Sequence, residues 1–131
     1  MSGRADWEYS SDGTSWTTWD KTGTNISVGA GDSLYVRAGS TGQNTLAYND
    51  SFTGCNRILP TDSDFKVSGN IMYLLKQDGV VSANRVRYQF SGLFLQGTGI
   101  VDASELSLPS RVDDYSMCRM FGVCTKLSAA P

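Results

Sequence analysis

The pattern of apolar and polar positions occurs twice in the last third of the chain. Residues 88–104 (YQFSGLFLQGTGIVDAS) and 115–131 (YSMCRMFGVCTKLSAAP) align without gaps at a spacing of 27 residues, so that Phe94 matches Phe121. A period between about 20 and 29 residues that alternates short apolar clusters with turn residues is typical of leucine-rich repeats. The pattern therefore predicts two coils of a solenoid, in which each coil stacks on its neighbour.

The first 68 residues follow a different pattern, one of short alternating stretches. Trp7 and Tyr9 form one alternating pair and Ile26 and Val28 another, and glycine turn signals such as Asp12-Gly13 separate such pairs. Strands at intervals of about 8 to 12 residues with glycine-rich turns are typical of a small sandwich. We therefore predict an Ig-like β-sandwich domain over residues 1–69.

After Asn70 the spacing of apolar residues changes to that of a helix. Ile71, Leu74 and Leu75 stand at positions i, i+3 and i+4, with Asn70 placed to cap and Gly79 to stop the helix. The pattern predicts a short junction helix.

Residues 70–131 thus form a second predicted domain, the junction helix followed by two leucine-rich-repeat-like coils. The apolar cluster of each coil suits a short helix or 3₁₀ turn. The expected fold class is mainly β: a small Ig-like β-sandwich followed by the first coils of a leucine-rich-repeat solenoid with short helices. Five apolar residues are expected in the core: Ile71, Leu74, Leu75, Phe90 and Phe94.

Several segments resemble one family. FGVCTKLSAAP (121–131) resembles the MF-x-G-C-T-S-L-x-x-A-P unit of BspA-type leucine-rich repeats, although Val123 stands where the family has Gly. VDASELSLP (101–109) resembles the coil that precedes that unit. SGNIM (68–72) resembles the junction that follows a β-sandwich in surface proteins of gut Bacteroidota and their phages. The resemblance implies an extracellular or virion-exposed protein with a non-enzymatic binding or structural role.

Composition narrows the possible partners. Only 18% of the residues are charged and the net charge is −2, without a basic stripe, which disfavours nucleic acid as a partner. No apolar run approaches the roughly 18 residues that span a bilayer, so membrane insertion is not expected. A surface rich in Ser, Thr, Asn and Gly fits a virion or an extracellular or cell-surface location. The N-terminus lacks the apolar core of a signal peptide.

The residue types argue against catalysis. The chain has no histidine, which removes imidazole bases and most catalytic zinc sites. The remaining candidates are acidic pairs in turn-like stretches, where solvated acids are ordinary. These pairs are Asp62/Asp64, Asp102/Glu105 and Asp113/Asp114. We therefore predict no enzyme, no cofactor and no metal site; the acids Asp12, Asp20 and Asp32 lack calcium-loop spacing.

The three cysteines, Cys55, Cys118 and Cys124, cannot all pair within the chain. In the repeat alignment Cys118 matches Ser91 and Cys124 matches Gly97, which argues against a bridge between them. We expect free thiols.

Tyr9, Trp16 and Trp19 are the candidate binding residues. Their rings could form a platform on which a host-surface glycan stacks, since aromatic faces bind apolar sugar faces. The alternative is that they fill the core of the sandwich. Residues 11–16 (SDGTSW) look like an Asp-box hairpin, in which the aspartate ties a turn.

Three functions follow from these observations. The leading hypothesis is a non-enzymatic structural or surface-display protein of a phage virion, a capsid decoration or fibre subunit that binds other protein chains. The alternatives are a fragment of a secreted bacterial leucine-rich-repeat adhesin and a carbohydrate-binding module. An uncapped last coil would expose apolar side chains, so Leu127 and Pro131 are the candidate assembly residues and oligomers are expected.

Overall fold

The computed structural model describes residues 6–19, 25–40, 44, 46, 56–81, 89–111 and 115–131, and they form a mainly β protein. The chain divides into two compact units, each built from two separate stretches of sequence. The first unit comprises Met1–Asn44 and Met72–Val81, and the second comprises Thr45–Ile71 and Ser82–Pro131. The predicted boundary at residues 69 and 70 divides the chain differently.

The first unit contains a three-stranded antiparallel sheet. Its strands are β1 (Trp7–Ser10), β2 (Thr17–Thr18) and β3 (Tyr35–Ala38), in the order β2-β1-β3. Trp7 is buried, as its alternating position predicts, and its indole Nε1 donates a hydrogen bond to the carbonyl of Leu74 at 3.1 Å. The described residues of this unit show one sheet.

Ile26 and Val28 illustrate what alternation can and cannot predict. Both are half-buried and Ser27 between them is exposed, as expected for an extended segment. The segment nevertheless pairs with no strand in the part of the chain that the structure describes. Alternation reports which side chains share a face, but it does not identify a backbone partner.

The second unit contains a parallel pair of strands, β4 (Phe65–Asn70) and β5 (Ile100–Ser107). Ala129 forms one further parallel bridge, with Asp102 of β5. Beyond this pair and bridge, residues 56–81, 89–111 and 115–131 contain no other parallel ladder, so no solenoid is seen.

The predicted junction helix is wrong in type. A single 3₁₀ turn, η1 (Ile71–Leu74), follows β4 directly, and no α-helix occurs among the described residues. Asn70 cannot cap a helix here because it is the last residue of β4, paired with Ser107. Gly79 does end a turn, with a φ of 69°.

The short helix or 3₁₀ turn predicted for the apolar cluster of each repeat is also absent, because both segments are ribbons of consecutive β-turns. We call residues 89–107 the first coil and residues 115–131 the second coil. The ribbons are closed by i+3 to i hydrogen bonds: Leu93 to Phe90, Leu95 to Gly92 and Gly97 to Phe94 in the first coil, and Met120 to Met117, Gly122 to Arg119 and Cys124 to Phe121 in the second. Apolar spacing of three and four residues suits such a ribbon as well as a helix.

All five predicted core residues are buried, with exposures between 0% and 6%. The two coils differ in burial. Phe90, Leu93 and Phe94 of the first coil are buried, whereas Met120 is the only buried apolar residue of the second coil and Phe121 is half-buried. The first coil therefore supplies the larger share of the core.

Candidate functional site

Backbone hydrogen bonds join the two coils in one direction along the turn ribbons. Four amides of the first coil donate to carbonyls of the second, at 2.8 to 3.0 Å: Phe90 to Ser116, Gly92 to Cys118, Phe94 to Met120 and Gln96 to Gly122. In the strand region the bonds run both ways, from Ala103 to Ala129 and from Ser128 to Val101. In the ribbon part of the stack all four backbone hydrogen bonds therefore run in one direction, from amides of the first coil to carbonyls of the second.

Four of the five amide positions that the first coil donates to the second recur 27 residues later without an acceptor in the described part of the chain. The amides of Met117, Phe121, Val123 and Ala130 correspond to those of Phe90, Phe94, Gln96 and Ala103. None of the four donates to an acceptor in the described part of the chain. We call these four amides the donor edge. Their spacing repeats that of a row of hydrogen bonds already formed one coil earlier.

Apolar side chains accompany the donor edge. The ring of Phe121 stacks on that of Phe94 with centroids 5.4 Å apart and an angle of 17°, yet only Phe94 is fully buried. Val123 is 59% exposed and has a φ of 60°, a left-handed conformation that disfavours a β-branched residue. An exposed, strained valine next to unused donors is a reason to consider this edge functional.

The predicted assembly residues lie on the same coil but outside the donor edge. Leu127 is half-buried and its amide donates to the carbonyl of Cys124 at 3.1 Å, whereas Pro131 is exposed. Reasoning from the sequence named two residues of this coil and gave no indication of its backbone donors; a role of Leu127 and Pro131 in assembly stays a prediction. The 27-residue spacing could have located them once the stacking bonds of the first coil were known.

The structure brings together only two of the three predicted aromatic binding residues. Trp19 contacts Tyr9 with ring centroids 6.1 Å apart and Trp7 with centroids 6.2 Å apart. Side chains alternate along β1, so this face is opposite to the one that carries Glu8. Tyr9 and Trp19 therefore belong to a cluster around buried Trp7.

Trp16 lies apart, on the face of the sheet that carries Glu8. Its ring lies under the guanidinium of Arg37, with Cζ 3.9 Å from the centroid, and Arg37 forms an ion pair with Glu8 at 2.9 Å. Glu8 and Arg37 are directly paired across β1 and β3, which places both on one face. The three rings do not form a single platform, and sugar binding by them stays a prediction.

A half-open cleft of about 310 Å³ lies beside Tyr9. Its walls are rich in hydroxyl groups, among them Ser15 and Thr17, with Asp32 as the carboxylate. Such a lining offers hydrogen bonds to a neutral polar ligand. Trp16 and Trp19 do not line this cleft.

The aspartate of the SDGTSW stretch ties a turn, as that motif predicts. The carboxylate of Asp12 accepts hydrogen bonds from the amides of Ser15 and Thr14, both at 2.8 Å, and from the hydroxyl of Ser10 at 2.9 Å. These donors hold the pKa of Asp12 well below its usual value. Gly13 has a φ of 76°, which the turn requires. Asp12 is thus a structural residue.

The remaining acids and thiols can be placed only where the structure describes them. Among the described residues no group of three histidine, cysteine or acidic side chains could hold a metal ion, and no helix is long and apolar enough to cross a membrane. Cys118 and Cys124 are free thiols; the sulfur of Cys124 lies 3.1 Å from the Phe94 carbonyl, and burial raises its pKa. Four of the acids and thiols named in the sequence analysis lie outside the described residues: Asp20, Cys55, Asp113 and Asp114.

Comparison with protein-family models, with curated proteins and with solved structures finds no match to the chain. The resemblance to BspA-type repeats accordingly stays an expectation from the sequence.

Proposed function

We propose that the protein is a non-enzymatic structural or surface-display protein that acts by joining other protein chains at the donor edge. The observation that carries this proposal is the row of amides at Met117, Phe121, Val123 and Ala130, which correspond to four of the five bonded amides one coil earlier. A partner that supplies acceptors in this spacing would continue the hydrogen bonding that joins the two coils.

The architecture in this proposal is an Ig-like β-sandwich in the first unit and the opening coils of a leucine-rich-repeat solenoid in the second. The 27-residue sequence repeat supports the solenoid, together with the matching left-handed residues, Gly92 with Arg119 and Gln96 with Val123. The antiparallel three-stranded sheet supports the sandwich.

Hydrogen-bond energetics favour a partner rich in acceptors. An apolar surface that covered the edge would remove water from the amides without replacing their hydrogen bonds. Each unsatisfied donor would then destabilise the contact by about 1–3 kcal/mol. A partner coil that offers carbonyls avoids this cost and also covers Phe121 and Val123. A stable contact of this kind buries on the order of 800 Å² per partner.

The biological setting that we favour is a phage virion, with this chain as a capsid decoration or fibre subunit. The low share of charged residues, 18%, supports an outer surface. A bacterial surface, with the chain as part of a secreted adhesin, is the alternative. Both settings need a chain that joins others without catalysis.

Sedimentation velocity over a range of protein concentrations tests the proposal. The wild-type chain should associate as concentration rises, and Val123→Asp should weaken association about tenfold or more, because the contact would bury an unpaired charge. Val80→Asp is the matched control, since Val80 is also exposed, at 68%, and lies outside the second unit. Wild-type chains that stay monomeric, or two variants that behave alike, would contradict the proposal.

A further inference from the structure

We propose that the cleft beside Tyr9 binds a neutral sugar ring. All the residues that line it belong to the first unit, between Tyr9 and Leu34, whereas the donor edge lies in the second unit. Sugar binding is thus a second function, which does not rest on assembly. It places the sugar beside Tyr9 without the other two predicted residues, Trp16 and Trp19, which do not line the cleft.

The less exposed part of the lining is apolar. Tyr9, Ile26, Val28 and Leu34 line the cleft, and each of them is half-buried. Ile26 and Val28 stand at alternate positions of one extended segment, with Ser27 exposed between them. One face of a sugar ring carries C–H groups that pack on aromatic and aliphatic side chains, so this part of the cleft suits that face.

The exposed part of the lining is rich in hydroxyl groups. Each hydroxyl can both donate and accept a hydrogen bond, as the hydroxyls of a sugar do. An apolar inner surface with hydroxyls at its rim therefore matches a ligand that has an apolar face and a polar edge. The residues that supply these hydroxyls are Ser11, Ser15, Thr17, Ser27 and Ser33.

The charge of the lining selects against an anion. Asp32 is the one charged residue among the described residues that line the cleft. An anionic ligand would meet this carboxylate without a lysine or arginine to compensate the repulsion. The hydroxyls of a neutral sugar can instead donate to the carboxylate, and hydrogen bonds to a charged acceptor are stronger than those between neutral groups.

The wall that carries Ser15 and Thr17 is held in place without a ligand. The buried hydroxyl of Ser10 accepts a hydrogen bond from the amide of Gly13 at 2.9 Å. The carboxylate of Asp12 accepts one from the amide of Ser15 at 2.8 Å. Small-molecule sites are usually formed before the ligand arrives, and this wall meets that condition.

A second turn places the carboxylate of Asp32. Its amide donates to the carbonyl of Gly29 at 3.0 Å, and Gly31 inside the turn has a φ of 80°. The carboxylate folds back over Gly29, where an added Cβ would lie 2.5 Å from Oδ2. A methyl group at position 29 would therefore displace the carboxylate. The volume of about 310 Å³ is at the lower end of the range for small-molecule sites, which suits a mono- or disaccharide.

A titration of isotope-labelled protein with sugars, followed by NMR chemical shifts of the backbone amides, tests the site. The probes are glucose, galactose, mannose and N-acetylglucosamine, each in large excess. At least one of them should bind, with the largest shifts at Tyr9, Thr17 and Asp32. Glucuronate and choline are the charged controls, and neither should bind as tightly as that neutral sugar.

Three variants show whether the cleft holds the sugar. Asp32→Ala should weaken binding about tenfold or more, because hydrogen bonds to a charged acceptor are lost. Gly29→Ala should also weaken it, by about threefold or more, although it removes no polar group. Asp62→Asn is the control for loss of a negative charge, since Asp62 is exposed and lies in the second unit, and it should bind like the wild type. Circular dichroism checks that all three variants fold.

Four results would overturn the proposal. The first is a folded protein whose shifts respond to none of the four sugars. The second is a set of shifts centred on Glu8, Trp16 and Arg37, which would place the sugar on the other face of the sheet. The third is binding that Asp32→Ala leaves unchanged, and the fourth is binding of choline alone, which would make the cleft a cation site.

The sugar site and the donor edge can fail separately. Val123→Asp, which tests assembly, should bind the sugar like the wild type, because Val123 lies in the second unit. Asp32→Ala should associate like the wild type. A chain that stays monomeric and binds sugar contradicts assembly alone, and a chain that associates without binding sugar contradicts the cleft alone.

Discussion

The two coils have the same backbone and different surroundings. Both are turn ribbons with left-handed residues 27 positions apart, at Gly92 and Gln96 in the first coil and at Arg119 and Val123 in the second. The amides that the first coil directs to its neighbour are bonded, whereas three of their counterparts in the second coil's ribbon have no acceptor in the described chain. The backbone conformation of each coil is therefore determined within that coil, whereas its burial and its hydrogen bonding depend on the coil that follows.

The coils also differ in how well their residues suit that conformation. The first coil has a glycine at one of its two left-handed positions, where a residue without Cβ carries no steric cost. The second coil has an arginine and a valine at those positions. It thus adopts the same shape with less favourable residues, and its neighbour must help to hold it.

The largest predicted effect tests the difference in burial. Phe94→Ala should destabilise the protein by roughly 3–5 kcal/mol, as for a fully buried aromatic residue. Phe121→Ala should cost roughly half as much, because Phe121 keeps one covered face. Denaturant unfolding of both variants measures the difference. Equal losses at low protein concentration would show that the two coils are equally buried, which would remove the basis of the comparison.

The second prediction concerns the left-handed positions. Gly92→Ala should destabilise by about 1–2 kcal/mol, since its φ of 66° disfavours any Cβ. Val123→Gly should instead stabilise by about 0.5–1 kcal/mol, because the relief of strain exceeds the entropy that glycine adds to the unfolded chain.

Thermal unfolding measures both variants: the unfolding midpoint of Gly92→Ala should fall and that of Val123→Gly should rise. Val80→Gly is the control for the second substitution; Val80 is exposed and its φ is not positive, so glycine there should be neutral or slightly destabilising. A destabilised Val123→Gly would mean that the valine side chain contributes more by packing than its conformation costs.

The mainly β character of the chain and part of the second unit's core could be predicted from the sequence. The 27-residue spacing identified two segments with the same turn pattern, and the apolar clusters identified the buried residues Phe90 and Phe94. The turn ribbon could not be predicted, because apolar residues three and four positions apart face inward in ribbons and helices alike. Left-handed Arg119 and Val123 also give no signal, since neither residue type prefers that conformation.

Less of the candidate site could be predicted from the sequence. Backbone amides have no residue signature, so the donor edge becomes visible only when the bonds of the first coil are known. The separation of Trp16 from Trp19 depends on the pairing of Glu8 with Arg37, a register that residue types alone do not specify. The assembly residues predicted from the sequence, Leu127 and Pro131, lie on the same coil but are not among the four donor-edge residues.

The smallest predicted effect is on the pH dependence of stability and concerns Asp102, an acid that the first coil has and the second lacks. Asp102 matches Ala129 in the repeat and bridges to it, and its carboxylate accepts hydrogen bonds from the amide of Ser104 at 2.9 Å and from the hydroxyl of Ser104 at 2.7 Å. These bonds, with a smaller contribution from Lys66, lower the pKa of Asp102 below 3.8.

The sign of the pH dependence follows from this lowered pKa. A carboxyl group whose pKa is lower in the folded state stabilises the fold above its unfolded pKa of 3.8, and this contribution is lost as pH falls through the lower folded value. Asp102→Asn should therefore flatten the loss of stability in acid, seen as a smaller drop in unfolding midpoint below about pH 4. Ser104→Ala removes the hydroxyl donor and keeps the amide donor, so it should reduce the acid-induced drop in unfolding midpoint by less than Asp102→Asn does. An unchanged acid profile in Asp102→Asn would show that the hydrogen bonds between Asp102 and Ser104 make no net contribution to the stability of the fold.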